Sequence, residues 1–172
     1  MIAPDLSRNE SSRLNALHEL QLLDSEADEG LDRLTELATR IFDVPTSLIT
    51  LIDEDRQWFK SRQGMSICET PRRISFCGHV VADGQPMVVC NALKDPRFAD
   101  NPLVTGEPFI RFYAGYPIFV APEICIGTIC LIGMLPRAFK DEDLARLGLL
   151  ASQAEELIRL HMCRVRAAQT QE

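Results

Sequence analysis

Apolar positions along this chain switch between a helical period and a strand period. Residues 7–23 place Leu14, Leu17, Leu20 and Leu23 three apart, and residues 27–42 carry Leu31, Leu34, Leu37, Ala38 and Ile41. Both read as helices. Ser7 and Glu10 have capping-box spacing for the first. Asp28, Glu29 and Asp32 stand at the start of the second, where the helix dipole favours acids. Asp43-Val-Pro45 ends it. Residues 46–53 are β-branched and apolar, and residues 57–63 alternate Trp58, Lys60 and Arg62 against Gln57, Phe59 and Ser61. Only three residues separate these runs, which predicts an antiparallel hairpin.

Ser75 is placed to cap a short helix reaching about residue 82, and Gly84 is placed to end it. A short strand at 86–90 precedes a long connection, 91–108, with three prolines and a predicted one-turn helix near 96–99. Strands at 112–119 and 124–133 are joined by Ala121-Pro-Glu. The second is apolar on both faces and is predicted to be central. From about 140 to beyond 161, Leu144, Leu147, Ala151, Ala154, Ile158, His161 and Val165 alternate steps of three and four, a heptad seam. Leu149, Leu150, Leu157 and Leu160 give that helix a second apolar side. One side can cover the sheet, which leaves the other for a partner, most simply a second copy of the chain. The pattern predicts an α+β fold: an antiparallel sheet with helices packed on one face and a ligand pocket on the other. It divides the chain into an N-terminal helix for linking or dimerisation (1–24), a core (25–139) and a C-terminal helix (140–172).

At 172 residues the chain can bury one proper core. A net charge of −7 argues against a general nucleic-acid binder and against an anionic-membrane binder. The charge is uneven: residues 56–113 hold eight Lys or Arg against five Asp or Glu. A locally basic middle suits an anionic ligand, although solvated loop charges would look the same. No signal peptide is visible, and the longest uncharged run, 124–136, is too short to cross a bilayer as a helix, so a cytoplasmic protein is expected. The six cysteines lack small-domain disulfide spacing and read as free thiols.

Residues 72–116 concentrate Cys, His, Asp, Arg and aromatic side chains. Cys77 and His79 lie two apart on a predicted helix, on roughly opposite faces, and cannot easily share a metal. Cys77 reads as a small buried hydrophobe. His79 is either a ligand donor or a structural hydrogen-bonding group, with Phe76 stacked beside it. Arg111 and Tyr113 share a strand face with Gly115, an arrangement that suits an anionic or planar ligand. Asp95 and Arg97 either contact a ligand from the long loop or pair with each other in a turn. Cys125 and Cys130, five apart on a strand, are expected on opposite sides. The sequence has no nucleophile elbow, no P-loop and no zinc-type cysteine spacing. The chain is therefore expected to be non-catalytic and to hold no metal, with a pocket formed by Phe76, His79, Asp95, Arg97, Phe98, Arg111, Tyr113 and Tyr116.

Five stretches carry a resemblance: Asp55-Arg-Gln-Trp-Phe-Lys-Ser61, Ile74-Ser-Phe-Cys-Gly-His79, Asp95-Pro-Arg-Phe-Ala-Asp-Asn-Pro-Leu-Val-Thr-Gly106, Arg111-Phe-Tyr-Ala-Gly115 and Ile126-Gly-Thr-Ile-Cys130. Over about residues 14–160 the chain resembles a GAF domain, a PAS-related fold, of the bacterial kind found ahead of histidine kinase and diguanylate cyclase modules. The resemblance implies a sensory or regulatory domain that binds a small ligand and signals through its terminal helices in a dimer to a kinase or cyclase partner. It leaves the ligand and any cofactor unidentified. The chain departs from the family at Asn91 and Gly133, where the family usually has acidic residues, and at Tyr116, a bulky residue that would partly fill the pocket. Gly78 separates Cys77 from His79, unlike the adjacent Cys-His pair of bilin-binding relatives. The signature of the cyclic-nucleotide phosphodiesterase type is incomplete at Phe139 and Asp143, and the Cys-rich loop of methionine sulfoxide reductases is missing. Two alternatives stand beside the sensor: a thiol redox enzyme or sensor using Cys77 or Cys130, and a ligand-free dimerisation scaffold.

Overall fold

Every strand of the sheet is antiparallel to its neighbours, and the two hairpins visible in the sequence form its backbone. The computed structural model describes residues 1–171. Its elements are α1 (Glu10–Glu19), α2 (Glu29–Phe42), β1 (Thr46–Ile52), β2 (Arg56–Gln63), β3 (Glu69–Pro71), α3 (Phe76–Asp83), β4 (Met87–Val89), α4 (Pro102–Thr105), β5 (Phe112–Ala121), β6 (Ile124–Gly133) and α5 (Asp141–Gln169). The end of the expected 140–172 helix, Glu172, lies outside the described residues. Six strands run in the order β3-β2-β1-β6-β5-β4. β1 is buried along its whole length, and β6 along all but its first residue. These two apolar strands take the middle, where both faces are covered.

The sheet separates two cores. On one face α1, α2 and α5 bury Leu17, Leu31, Ala38, Leu147, Ala151 and Ile158 against Ile49, Leu51, Phe112, Ile129 and Leu131. On the other, α3 and the connecting segments bury Phe76, Val80, Phe98 and Ile110 against Leu48, Phe59, Tyr113, Cys130 and Ile132. Adjacent residues on each central strand thus serve opposite cores, as the two-residue period of a strand requires.

Two bulges interrupt that period and change the facing predicted from alternation. Ile49 pairs with Ser61 and Thr50 with Phe59, so Lys60 is an extra residue in β2. Beyond it Ser61 turns to α2, where its hydroxyl meets Thr35 Oγ1 at 2.8 Å, and no longer shares a face with Phe59. Ile118 pairs with Gly127 and Phe119 with Cys125, leaving Ile126 extra in β6. As a result Cys125 and Cys130 lie on the same side of the sheet, not on opposite sides.

Helix ends follow local chemistry. Asp28 Oδ1 accepts from Leu31 N at 2.9 Å, and Ser75 Oγ accepts from Gly78 N at 3.1 Å. Gly84 ends α3 with φ +64°, as expected of a C-terminal glycine. The first helix is shorter than its apolar period suggests. Glu10 Oε2 does accept from Ser7 N, but Ser7 Oγ donates to Val81 O, and Asn9 occupies the N-cap. The long connection forms a 3-10 turn at Ala92–Lys94 and a single-turn α-helix at Pro102–Thr105, capped by Asn101, while 96–99 is a turn. Leu37 and Ile41 are exposed on α2, whose buried face instead uses Thr35 and Phe42. Leu147, Ala151, Ala154 and Ile158 of the α5 heptad seam pack inside the subunit, and Leu149 and Leu160 remain outward.

Candidate functional site

The face opposite α2 and α5 is filled, and its remaining space is a small cavity between the sheet and α3. β1, β2, β5 and β6 supply Leu48, Gln57, Phe59, Tyr113 and Ile132 as its floor. Phe76 and Cys77 of α3 form one wall with Thr70 and Ile110, and the less buried Met65, Ile67, Leu103 and Pro108 complete the lining towards solvent. The free volume is about 20 Å³, room for one water. Among its lining residues only Gln57, Thr70, Cys77 and Tyr113 carry N–H, O–H, S–H or carbonyl groups, and none is an Asp, Glu, Lys, Arg or His.

Those polar groups are nearly all occupied. Gln57 Nε2 donates to Thr70 Oγ1 at 2.5 Å, while buried Gln57 Oε1 has no partner among the described residues. Tyr113 Oη donates to Cys77 Sγ at 3.1 Å. Beneath them Thr50 and Thr128 hydroxyls are 3.0 Å apart, and Cys130 adds a second thiol. Burial by itself would raise the Cys77 pKa, but hydrogen bonding from Cys130, Thr128, Tyr113 and Thr50 lowers it to about 7. The same burial, with Cys77 beside them, pushes Cys130 and Tyr113 well up. Cys125, also buried but held only by backbone contacts, is pushed up to about 11.

Of the eight residues predicted to form the pocket, only Phe76 and Tyr113 line this cavity. Phe98 is fully buried beside it, stacked on Phe76 with ring centroids 4.0 Å apart. His79 lies beyond Phe98, edge-on to its ring at 5.1 Å, and its Nε2 donates to Ile2 O at 3.1 Å. That is the structural hydrogen bond weighed against a ligand role, and burial lowers its pKa. Asp95 and Arg97 pair bidentately, Nη2 to Oδ2 at 2.7 Å and Nε to Oδ1 at 3.0 Å, and the guanidinium lies over Phe98. Arg111 Nη1 donates to the carbonyls of Val104 and Ile110. Tyr116 is on the other face of the sheet against Gly148, because it differs by an odd number from Tyr113 on a regular stretch of β5. It does not fill the pocket.

Several cations of the basic middle are engaged within the chain. Part of the local positive charge serves structure: Arg56 pairs with Asp24, Asp53 and Glu69, Arg72 with Glu10, and Arg97 with Asp95. The residues missed in the sequence were Gln57, Thr70 and the apolar lining from β1, β2 and β6. Gln57 carried a signal, as an amide sharing a strand face with Phe59. A larger, open groove of about 850 Å³ runs past Ser7, Asp83, Gly84, Phe119, Glu123 and Arg159. It mixes charges of both signs and is solvent-facing.

An antiparallel six-stranded sheet with α1, α2 and α5 on one face and a small recess under α3 on the other defines a layered α+β class. The GAF domain family matches residues 26–158, and the chain belongs to that family. It is 39% identical over 166 residues to a Pseudomonas aeruginosa protein named cyclic di-GMP phosphodiesterase PA2567. That match takes in 96% of this chain and 27% of the relative, so the chain spans about a quarter of the relative's length. Among solved structures it is similar to the GAF domain of an Acinetobacter phosphoenolpyruvate-protein phosphotransferase (TM-score 0.64, 16% identity, 92% of this chain and 98% of that one). It is also similar to a free methionine-R-sulfoxide reductase from Neisseria meningitidis bound to its substrate (0.63, 21%, 98% and 99%). A domain of a two-component sensor histidine kinase protein from Sinorhizobium meliloti aligns at 0.58 and 20%, covering 86% and 98%. The expectation that the chain is not an enzyme is overturned by these relatives: one is named a phosphodiesterase, and reductases are built on the same fold. Among the described residues no helix is long and apolar enough to cross a membrane.

Proposed function

We propose that this chain is a small-molecule-sensing GAF module of a protein that turns over cyclic di-GMP, with the cavity under α3 as its sensory site. The observation that carries the reading is the cavity itself: a recess roofed by a short helix, with one buried carbonyl oxygen, Gln57 Oε1, left unpartnered. A buried acceptor without a partner costs free energy that a bound donor restores. The relative's name supplies the output, cyclic di-GMP turnover. In this reading the protein is cytoplasmic and works as a homodimer. α1 and α5 carry the signal to whatever adjoins them, and a ligand acts by favouring one arrangement of those helices over another. Native mass spectrometry of the purified chain, followed by a thermal-shift screen against neutral metabolites, tests it. A retained or stabilising compound that also changes cyclic di-GMP hydrolysis by the protein carrying this chain supports the reading. A chain that holds and responds to nothing is a dimerisation scaffold instead.

The buried thiols favour a second reading, a redox module. Cys77 and Cys130 are buried in one cluster with Tyr113, and each shifts the ionisation of the other. One hydrogen peroxide would oxidise the two thiols to a disulfide and leave as two waters. Peroxide treatment would then lower the intact mass by about 2 Da, with the loss removed in Cys130→Ser.

A further inference from the structure

We infer that the cavity beneath α3 is built for an uncharged, chiefly apolar molecule carrying one N–H or O–H donor for Gln57 Oε1. This deepens the sensor reading and rests on it. The walls are Leu48, Phe59, Phe76, Ile110, Tyr113 and Ile132, all buried and apolar apart from the Tyr113 hydroxyl, which is already donated to Cys77. An anion placed here would lose its water and meet no cation, because no Lys, Arg or His lines the space. A cation would meet no carboxylate, because no Asp or Glu lines the space. An apolar body gains from leaving water at every wall. The single demand the wall makes is for a donor, since the Gln57 amide nitrogen is committed to Thr70 and its oxygen is not.

The free space of about 20 Å³ admits a larger body only if the mouth yields. Met65 and Leu103 are partly buried there, and Ile67 is 46% exposed just outside. An unbranched methionine re-seats at low cost, so the mouth side opens in preference to the sheet.

Four probes of similar size test the class on the purified chain: phenol, toluene, benzaldehyde and benzoate, each titrated by thermal shift and by the methyl resonances of Met65 and Ile132. Phenol is expected to bind about tenfold more tightly than toluene, the ratio one net hydrogen bond supplies. Benzoate is expected to leave melting and resonances unchanged. In Gln57→Leu the advantage of phenol over toluene disappears. Should that variant fail to fold, the order among the four probes on the unaltered chain still decides. Benzaldehyde, an acceptor only, binding better than phenol overturns the donor assignment. Benzoate binding in place of phenol, or none of the four binding, overturns the neutral class but leaves the sensor reading standing. The sensor reading itself falls by a different result: a folded Ile132→Phe variant, its cavity filled, whose parent protein keeps the same cyclic di-GMP hydrolysis and the same response to every metabolite that changes it.

Discussion

Glu10 shows how one side chain can tie three distant stretches together. Its carboxylate accepts from Arg13 Nη2 at 2.8 Å and Nε at 3.1 Å, and from Arg72 Nη1 at 2.5 Å. Arg13 is fully buried and also reaches Ile52 O. Burial would raise the Glu10 pKa, but the hydrogen bonds and charges of the two arginines lower it from 4.5 to about 2. Because the folded-state value is the lower one, the stabilisation is fully present above about pH 4.5 and is lost as pH falls towards 2. Glu10→Gln is expected to cost about 2–3 kcal/mol at pH 7 by urea unfolding, since it leaves two buried guanidiniums short of a charge. The difference between variant and parent should shrink as the pH is lowered from 4.5 to 2. Gly127 is a second single-residue constraint. A Cβ there would lie 1.8 Å from Thr50 O, inside the β1–β6 pairing. Gly127→Ala should therefore destabilise by about 3 kcal/mol in the same measurement.

At the scale of elements, α3 is the piece on which the site depends. Ser75 starts it, and its hydroxyl both accepts from Gly78 N and donates to Arg72 O at 2.6 Å. Phe76 then stacks on Phe98 and tilts against Tyr113 at 5.1 Å. Ser75→Ala should cost about 1 kcal/mol. Phe98→Ala, which empties one half of a fully buried stack, should cost about 3–5 kcal/mol and lower the melting temperature more. Much of this element was legible beforehand. Ser75, Gly84 and the apolar stretch between them are short-range signals, and short-range physics fixed them. The apolar runs of β1 and β6 likewise announced central strands. What could not be read was the facing of side chains past a bulge. One extra residue at Lys60 and another at Ile126 reverse the alternation, and neither residue type marks the spot. The scatter of the predicted pocket residues has a related reason. Arginine, histidine and aspartate were weighed by their chemistry, whereas Asp95, Arg97 and Arg111 had found partners within their own loop, through contacts no periodicity encodes.

For the whole molecule, the outward side of α5 is where a second copy would dock in the proposed dimer. Leu149 and Leu160 are 69% and 49% exposed and sit eleven residues apart, close to three full helical turns. Replacing both with glutamate should convert a sedimenting dimer to monomer without shifting the urea midpoint by more than about 0.5 kcal/mol equivalent. A parent chain that already sediments as a monomer removes the dimer from the proposed function. The central strand adds a mechanical consequence. Along β6, Cys130 and Ile132 press on the α3 side, while Ile129 and Leu131 press on the side of α2 and α5. The two compartments are one residue thick where they meet, so the strand behaves as a drumhead. A side chain re-seated on one skin would press on the backbone that supports the other, and the long terminal helix rests on that other skin.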